Sequence, residues 1–283
     1  MSLELCVLAS GSAGNCSVLR TAEGAVLIDA GIGPRVAAKR LAGTGVTLND
    51  VAAVVLTHLD SDHFRREWIS TLVRRGIRVF CHARRRRDLA ADSSEFASIV
   101  RTFYEDRPFE PVPSVSFNAV ALAHDADGSH GFVIEGLGSR IGFATDLGRV
   151  PETLAERFCG LDIVAIECNY DPELQRTSGR PWFLQQRITG GRGHLSNEQC
   201  FRFVRTMLDR CERDGRQAPA HIVLLHRSRQ CNCPKIVRAM FERDARVGSR
   251  LVLTEQYERT DWLRIESDRP PLVGEQLSLQ WGM

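Results

Sequence analysis

An apolar run that ends in four potential metal ligands constrains this chain more than any other feature of its sequence. The segment "VAAVVL", residues 51–56, is continuously apolar, as expected of a strand buried on both faces, and "THLDSDHF" follows it directly. The loop therefore leaves a rigid base with two histidines and two aspartates: His58, Asp60, Asp62 and His63. A lone histidine in a loop is most often structural, but imidazoles and carboxylates at this spacing suit zinc, iron or manganese.

Three further polar residues follow later apolar segments. His124 follows "VALA", Asp146 follows "IGFAT", and His226 follows "IVLL". Each residue alone is weak evidence for a metal ligand, because single polar residues at strand ends usually cap turns. One loop can make only part of a binuclear centre, so we expect these three residues to complete it.

Short strands and helices alternate along the chain without a low-complexity linker or a break in composition. Strands are predicted at "LELCVLAS", "CSVLRT", "AVLIDAG", "VAAVVLT", "IRVFC", "SVSFNAVAL", "HGFVIEG", "RIGFATD", "LDIVAIEC" and "HIVLLH". Helices are predicted over residues 34–42, 67–75, 151–158, 197–211 and 234–245, and through the arginine run. This order predicts an α/β fold, a four-layer αββα sandwich of two mixed sheets flanked by helices, as a single domain over residues 1–283.

The composition excludes several classes of protein. No apolar segment approaches the roughly 20 residues that span a bilayer, and no basic region precedes the first apolar run. The nine cysteines have no framework spacing, which favours reduced thiols over disulfides. We therefore expect a soluble cytoplasmic protein without a membrane partner.

Arginine supplies nearly all the positive charge. The net charge is only +2, and Lys39 and Lys235 are the only lysines. A GC-rich genome explains this bias as well as phosphate binding by guanidinium groups does. For the run Arg84 to Arg87, a solvated helix face is favoured over a nucleic-acid contact.

Several motifs together resemble the metallo-β-lactamase superfamily and, within it, its YycJ-like (WalJ-like) branch of predicted phosphohydrolases and DNA exonucleases. The resemblance covers most of the chain and is carried by "LASGSAGNC", "LIDAG", "THLDSDH", "AHDADG", "ATDLG", "ECNYD", "GGRGHLSN" and "LLHRSRQCN". It implies the αββα fold, two divalent metal ions, and hydrolysis of phosphodiester bonds in DNA, with 5′-to-3′ exonuclease polarity. It also implies the ligands: His58 and His124 for one metal, Asp62, His63 and His226 for the other, and Asp146 as the bridge.

Asp60 departs from the family motif, which usually has histidine at this position. A carboxylate can still ligate, but it is harder than imidazole and carries charge, which favours manganese or iron over zinc. The extra negative charge makes attraction of an anionic phosphate depend more on arginine. The alternative consequence is a weakened or vacant first metal site.

The remaining motifs supply candidates for catalysis and substrate binding. Asp62 and His194 are the candidate catalytic residues, and Asp29 is expected to support the metal loop through hydrogen bonds. Glu167 and Asp171 either line the cleft or belong to a capped turn, while His82, His130 and His221 are expected to be structural. The candidate substrate-binding residues are Ser12, Asn15, Asn169, Arg192, His194 and Ser228.

Two other functions remain open at this point. The same centre could hydrolyse a small phosphodiester, a lactone or a thioester, given a different cleft. A noncatalytic binding or regulatory protein with a degenerate centre is the third possibility, and Asp60 motivates it. The sequence leaves the oligomeric state unknown.

Overall fold

The computed structural model describes residues 3–265, and their strands form two mixed β-sheets. The first sheet has six strands in chain order: β1 (Glu4–Ala9), β2 (Cys16–Thr21), β3 (Gly24–Ile28), β4 (Val51–Val55), β5 (Arg78–His82) and β6 (Val100–Phe103). The second has seven: β7 (Phe109–Val112), β8 (Val115–Leu122), β9 (Ser129–Gly136), β10 (Ser139–Ala144), β11 (Ile163–Glu167), β12 (His221–Leu225) and β13 (Leu251–Leu253). The expectation of one domain over residues 1–283 stays a prediction, because part of that range lies outside the described residues.

Both sheets change from antiparallel to parallel pairing partway across. The first sheet is antiparallel from β1 to β3 and parallel from β3 to β6. The second is antiparallel from β7 to β10 and parallel from β10 to β13. Parallel neighbours need a crossover connection, and the nine α-helices within residues 3–265 all lie in these connections. They are α1 (Pro34–Leu41), α2 (Ile69–Arg75), α3 (Arg86–Ala90), α4 (Ser94–Ile99), α5 (Leu154–Phe158), α6 (Pro172–Arg176), α7 (Trp182–Thr189), α8 (Asn197–Arg213) and α9 (Pro234–Phe241).

Three apolar layers hold these elements together. The layer between the two sheets contains Phe117 and Phe132. Trp68 lies in the layer between the first sheet and its helices, and Met207 lies in the corresponding layer on the second sheet. Helix, sheet, sheet and helix therefore stack in that order, which confirms the predicted αββα sandwich.

Local sequence signals explain the longest helix. Ser196 accepts a hydrogen bond from the backbone N–H of Gln199, and the Gln199 side chain accepts one from the Ser196 N–H, which forms a capping box. The helix that follows buries Phe203, Met207 and Leu208 on one face. Helix α7 was not predicted, because its first residues, Trp182 and Phe183, are exposed and give no amphipathic period. Within residues 3–265, no helix is long and apolar enough to cross a membrane.

Candidate metal centre

The predicted ligands follow the ends of strands that meet at one edge of the sandwich. The loop after β4 carries four of them, and His124, Asp146 and His226 come shortly after β8, β10 and β12. The structure brings all seven together. Ligand atoms lie within 4.8 Å of one another in each of two groups: His58, Asp60 and His124 in the first, and Asp62, His63 and His226 in the second.

Asp146 lies between the two groups. Its Oδ2 is 2.9 Å from Nε2 of His63, and its Oδ1 is 3.6 Å from Nε2 of His226 and 3.9 Å from Nε2 of His124. Asp146 is buried, so both carboxylate oxygens face imidazoles instead of water. This is the placement that the family resemblance implies for a bridging carboxylate.

The donor set fits divalent metal ions. Nε2 of His58 is buried and has no hydrogen-bond partner in the structure. A buried polar atom without a partner costs about 1–3 kcal/mol, and a metal ion would satisfy it. Imidazole nitrogens and carboxylate oxygens are also the ligands of zinc, manganese and iron sites in proteins.

Three buried residues of the centre have a left-handed backbone conformation. Their φ angles are 62° for Asp29, 54° for Asp146 and 52° for His226. The left-handed region costs a residue other than glycine about 1 kcal/mol or more. Each of the three residues lies within two positions of the end of its strand, so this conformation turns the chain there.

Asp29 and Thr57 fix the two histidines of the loop. Asp29 accepts hydrogen bonds from the backbone N–H of Thr57 at 2.8 Å and from Nδ1 of His63 at 2.7 Å. The Thr57 hydroxyl lies 3.0 Å from Nδ1 of His58. Both histidines are therefore held through Nδ1, which directs Nε2 toward the centre. Asp29 lies where a supporting residue is expected, and the supporting position of Thr57 was not predicted.

Glu167 holds His194 and His226, on the side of the centre opposite Asp29. It is fully buried at the end of β11, and its Oε1 lies 2.7 Å from Nδ1 of His194 and 3.2 Å from Nδ1 of His226. Its Oε2 accepts a hydrogen bond from the backbone N–H of Leu147 at 3.0 Å. The sequence indicated only a strand-end acid here, because the partners are far away along the chain. Asp171, in the same motif, instead caps α6.

The carboxylates create a site that attracts positive charge. Burial alone lowers the pKa of His226, but Asp146, Asp62 and Glu167 raise it to about 10. Burial likewise opposes the charged form of His63, yet Asp146 and Asp29 raise its pKa well above the ordinary value. Without metal, these two imidazoles carry the protons that balance the acids, and a metal ion would replace those protons.

Arginines line a cleft beside the centre. The cleft has a volume of about 490 Å³, and His58, Asp60 and His124 form part of its wall. Arg84, Arg149 and Arg192 also line it, and within residues 3–265 their side chains have no hydrogen bond or ion pair. Arg85 and Arg187 line it too, paired with Asp127 and Asp125. Two members of the arginine run, Arg84 and Arg85, therefore line the cleft.

The structure divides the predicted substrate-binding residues between two clefts and one buried position. Ser12, Asn169, His194 and Ser228 line a smaller cleft of about 200 Å³, which also contains Asp62, and Arg192 lines the larger one. Asn15 is buried, with its amide nitrogen 2.9 Å from Nε2 of His63. Its Oδ1 accepts a hydrogen bond from the N–H of Gly11. Asn15 therefore packs against a predicted ligand.

Known proteins resemble this chain along most of its length. The family described as "Beta-lactamase superfamily domain" matches residues 25–222. Exodeoxyribonuclease YycJ of Bacillus anthracis is 24% identical over 239 residues, which cover 84% of this chain and 87% of that protein. Exodeoxyribonuclease WalJ of Streptococcus pneumoniae is 28% identical over 197 residues, covering 68% of this chain and 72% of the relative.

A solved structure supports the same fold. The metallo-β-lactamase fold protein YhfI from Bacillus subtilis superposes with a TM-score of 0.68 at 14% identity, covering 92% of this chain and all of YhfI. Its fold family implies divalent metal ions, and the histidine and aspartate groups described above supply suitable ligands. The predicted resemblance to YycJ and WalJ is confirmed, and the chain belongs to the metallo-β-lactamase superfamily.

Proposed function

We propose that this protein is a metal-dependent hydrolase that cleaves phosphodiester bonds in DNA as a 5′-to-3′ exonuclease. One observation carries the proposal: seven potential ligands converge beside a cleft whose wall presents three arginines without a hydrogen bond or ion pair among residues 3–265. Guanidinium groups bind phosphate oxygens in pairs, so this wall suits an anionic substrate. The two relatives, both exodeoxyribonucleases, favour DNA as that substrate.

Two divalent ions fit the two groups of ligands, with Asp146 between them. Such ions, when bound, activate water and stabilise the negative charge that develops on the phosphate. Manganese or iron suits the group that contains Asp60 better than zinc does, because that group has a harder ligand set. The half-exposed Asp60 side chain, with Oδ2 3.8 Å from Nε2 of His58, supports this proposal.

His194 is the proposed donor of a proton to the leaving oxygen. Its Nδ1 is held by Glu167, so Nε2 is the atom left for the substrate. Burial alone lowers the pKa of His194, but Glu167 and Asp146 raise it above the ordinary value. This shift favours the protonated imidazole, which is the form that a general acid requires.

Asp62 is the second proposed catalytic residue. It lines the smaller cleft together with His194, and its Oδ2 lies 3.5 Å from Nε2 of His226. Burial raises the pKa of Asp62, but hydrogen bonding and the charges of His226 and His63 lower it overall. The ionised carboxylate can accept a hydrogen bond from the attacking water and orient it.

The surface beside the smaller cleft suits a nucleic-acid strand. Leu184 and Arg187 of α7 line that cleft, while Trp182 and Phe183 at the start of the same helix are 74% and 70% exposed. Exposed aromatic rings beside basic residues bind single strands by stacking on bases, without reading their sequence. We therefore expect binding that depends strongly on salt and weakly on base sequence.

The test combines metal analysis with DNA degradation. Protein purified without chelator is assayed for bound metal and for hydrolysis of end-labelled single- and double-stranded DNA with Mn²⁺, Zn²⁺ and Fe²⁺. We expect bound metal and release of nucleotides from the 5′ end, with a steep decrease in rate as salt rises. His63→Ala should abolish hydrolysis with an unchanged circular dichroism spectrum, and His221→Ala is the matched control.

The other outcomes point to different functions. Hydrolysis of a small phosphodiester, lactone or thioester with a flat salt dependence, and none of DNA, would replace DNA as the substrate. Less than one ion per chain and no hydrolysis of any substrate would indicate a noncatalytic protein with a degenerate centre.

A further inference from the structure

A second histidine and carboxylate cluster lies in the wall of the larger cleft. His82 ends β5 in the first sheet, His130 lies in β9 of the second sheet, and Glu105 follows β6. The two imidazole rings stack with their centroids 4.4 Å apart. Nε2 of His82 is 3.0 Å from one oxygen of Glu105, and Nε2 of His130 is 3.2 Å from the other.

These separations match those of ligands that share a metal ion. Ligands about 2.1 Å from a tetrahedrally coordinated ion are about 3.4 Å apart. Both nitrogen–oxygen distances lie within a few tenths of an ångström of this value, and they run to different oxygens of Glu105. One ligand atom from each residue lies within 4.8 Å of the other two. Two imidazoles and one carboxylate also form a ligand set that zinc and iron sites use, with positions left for water or substrate.

The protonation states favour ligation. Burial raises the pKa of Glu105, but backbone hydrogen bonding and the two histidines lower it to about 2. Burial and the neighbouring His82 lower the pKa of His130, against the effect of Glu105. An ionised carboxylate beside a neutral imidazole is the state that a metal ion requires.

The cluster is both anchored and accessible. The His130 backbone N–H donates a 3.0 Å hydrogen bond to the carbonyl oxygen of Thr57, the residue before His58. Both imidazoles are buried, while the Glu105 side chain is 36% exposed at the cleft. An ion can therefore enter from the cleft and reach ligands that the two sheets hold in place.

We infer that His82, Glu105 and His130 bind a divalent transition-metal ion, separate from the centre around Asp146. The cation lies in the same cleft as Arg84 and Arg149 and adds positive charge to a wall that also carries Asp60. Its chemical role is to hold an anionic group of a ligand in the cleft, away from the centre. The binding itself does not depend on the proposed nuclease activity, because it requires no substrate.

The experiment counts ions per chain without any substrate. Metal-free protein is titrated separately with Zn²⁺, Mn²⁺ and Co²⁺, the free ions are removed, and bound metal is measured by mass spectrometry. The variants are Glu105→Gln and His82→Asn, and His221→Asn is the control, because its Nε2 contacts the backbone oxygen of Arg264 instead of a carboxylate. Circular dichroism and thermal unfolding report whether each variant is folded.

We expect each cluster variant to bind one ion fewer per chain than the wild type, or to bind that ion at least about tenfold more weakly. The visible spectrum of the Co²⁺ protein should change with it, and His221→Asn should behave as wild type. Glu105→Gln replaces a half-exposed side chain with one of the same shape, so it decides the question even if His82→Asn fails to fold. Equal numbers and affinities of ions in wild type and Glu105→Gln, for all three metals, would leave the cluster as a hydrogen-bonded structural contact.

Discussion

Gly31, which follows β3, allows the loop that carries the candidate ligands to pack closely against the chain. A Cβ atom at position 31 would lie 1.7 Å from the carbonyl oxygen of Asp62 and 2.7 Å from the backbone nitrogen of Asn15. The added Cβ would therefore clash with both atoms of the 2.7 Å hydrogen bond that the Asn15 N–H donates to that oxygen. Both contacts are backbone atoms, so no side-chain rotation can relieve them.

The displacement follows from the distances. Cβ contacts below 3.0 Å essentially never occur. In Gly31→Ala, the new Cβ and the carbonyl oxygen of Asp62 must therefore move apart by at least 1.3 Å. Metal sites tolerate changes of about 0.2 Å in ligand distance, and Asp62 carries a predicted ligand on the segment that must move. We expect metal affinity to decrease by about tenfold to a hundredfold, and the free energy of unfolding to decrease by about 1–3 kcal/mol from overpacking.

The assay is competition for metal with a chromophoric chelator, combined with thermal unfolding. Gly33→Ala is the matched control, two residues along the same turn, where the added Cβ meets only the flexible end of Glu67 and φ is −62°. This control should keep wild-type affinity and stability. If Gly31→Ala binds metal as tightly as the wild type, the close approach of Gly31 to the loop does not position the ligand, and the reasoning fails.

Three further predictions concern the centre itself. His194→Ala should lower turnover by about a hundredfold with metal content unchanged, because it removes the proposed acid but no ligand; loss of metal would instead make His194 a ligand. Asp60→His should raise the ratio of turnover with Zn²⁺ to turnover with Mn²⁺, since it substitutes a softer, neutral donor; the same ratio at the same metal stoichiometry would mean that Asp60 does not ligate. Metal loading should release about two protons near pH 7, because His63 and His226 are protonated in the metal-free protein, the latter with a pKa of about 10. The affinity for metal should accordingly increase as pH rises toward 10. The measurement is calorimetry of metal binding in buffers of different ionisation enthalpy. No proton release would mean that these imidazoles are neutral in the metal-free protein.

Short-range signals in the sequence predicted the layers of the fold and the members of the candidate centre. Apolar runs such as that of β4 mark buried strands within a few residues, and the capping box before α8 marks a helix start equally locally. The candidate ligands follow the ends of such runs, so they could be nominated without knowing their partners. Edge strands β6 and β7 were not predicted, because they are four residues long and have no clear alternation.

Contacts between distant residues were decided only by the tertiary structure. Glu167 contacts His194 and His226, which lie 27 and 59 residues further along the chain, and no local pattern indicates that these three should meet. The same holds for His82 and His130, predicted as separate structural residues, because they meet only where one sheet packs on the other. Residue type and periodicity determine which side chains stand at a strand end, whereas the packing of two sheets determines which ends face each other. The sequence by itself therefore determined the chemistry available to this protein, and the packing of its sheets decided which groups act together.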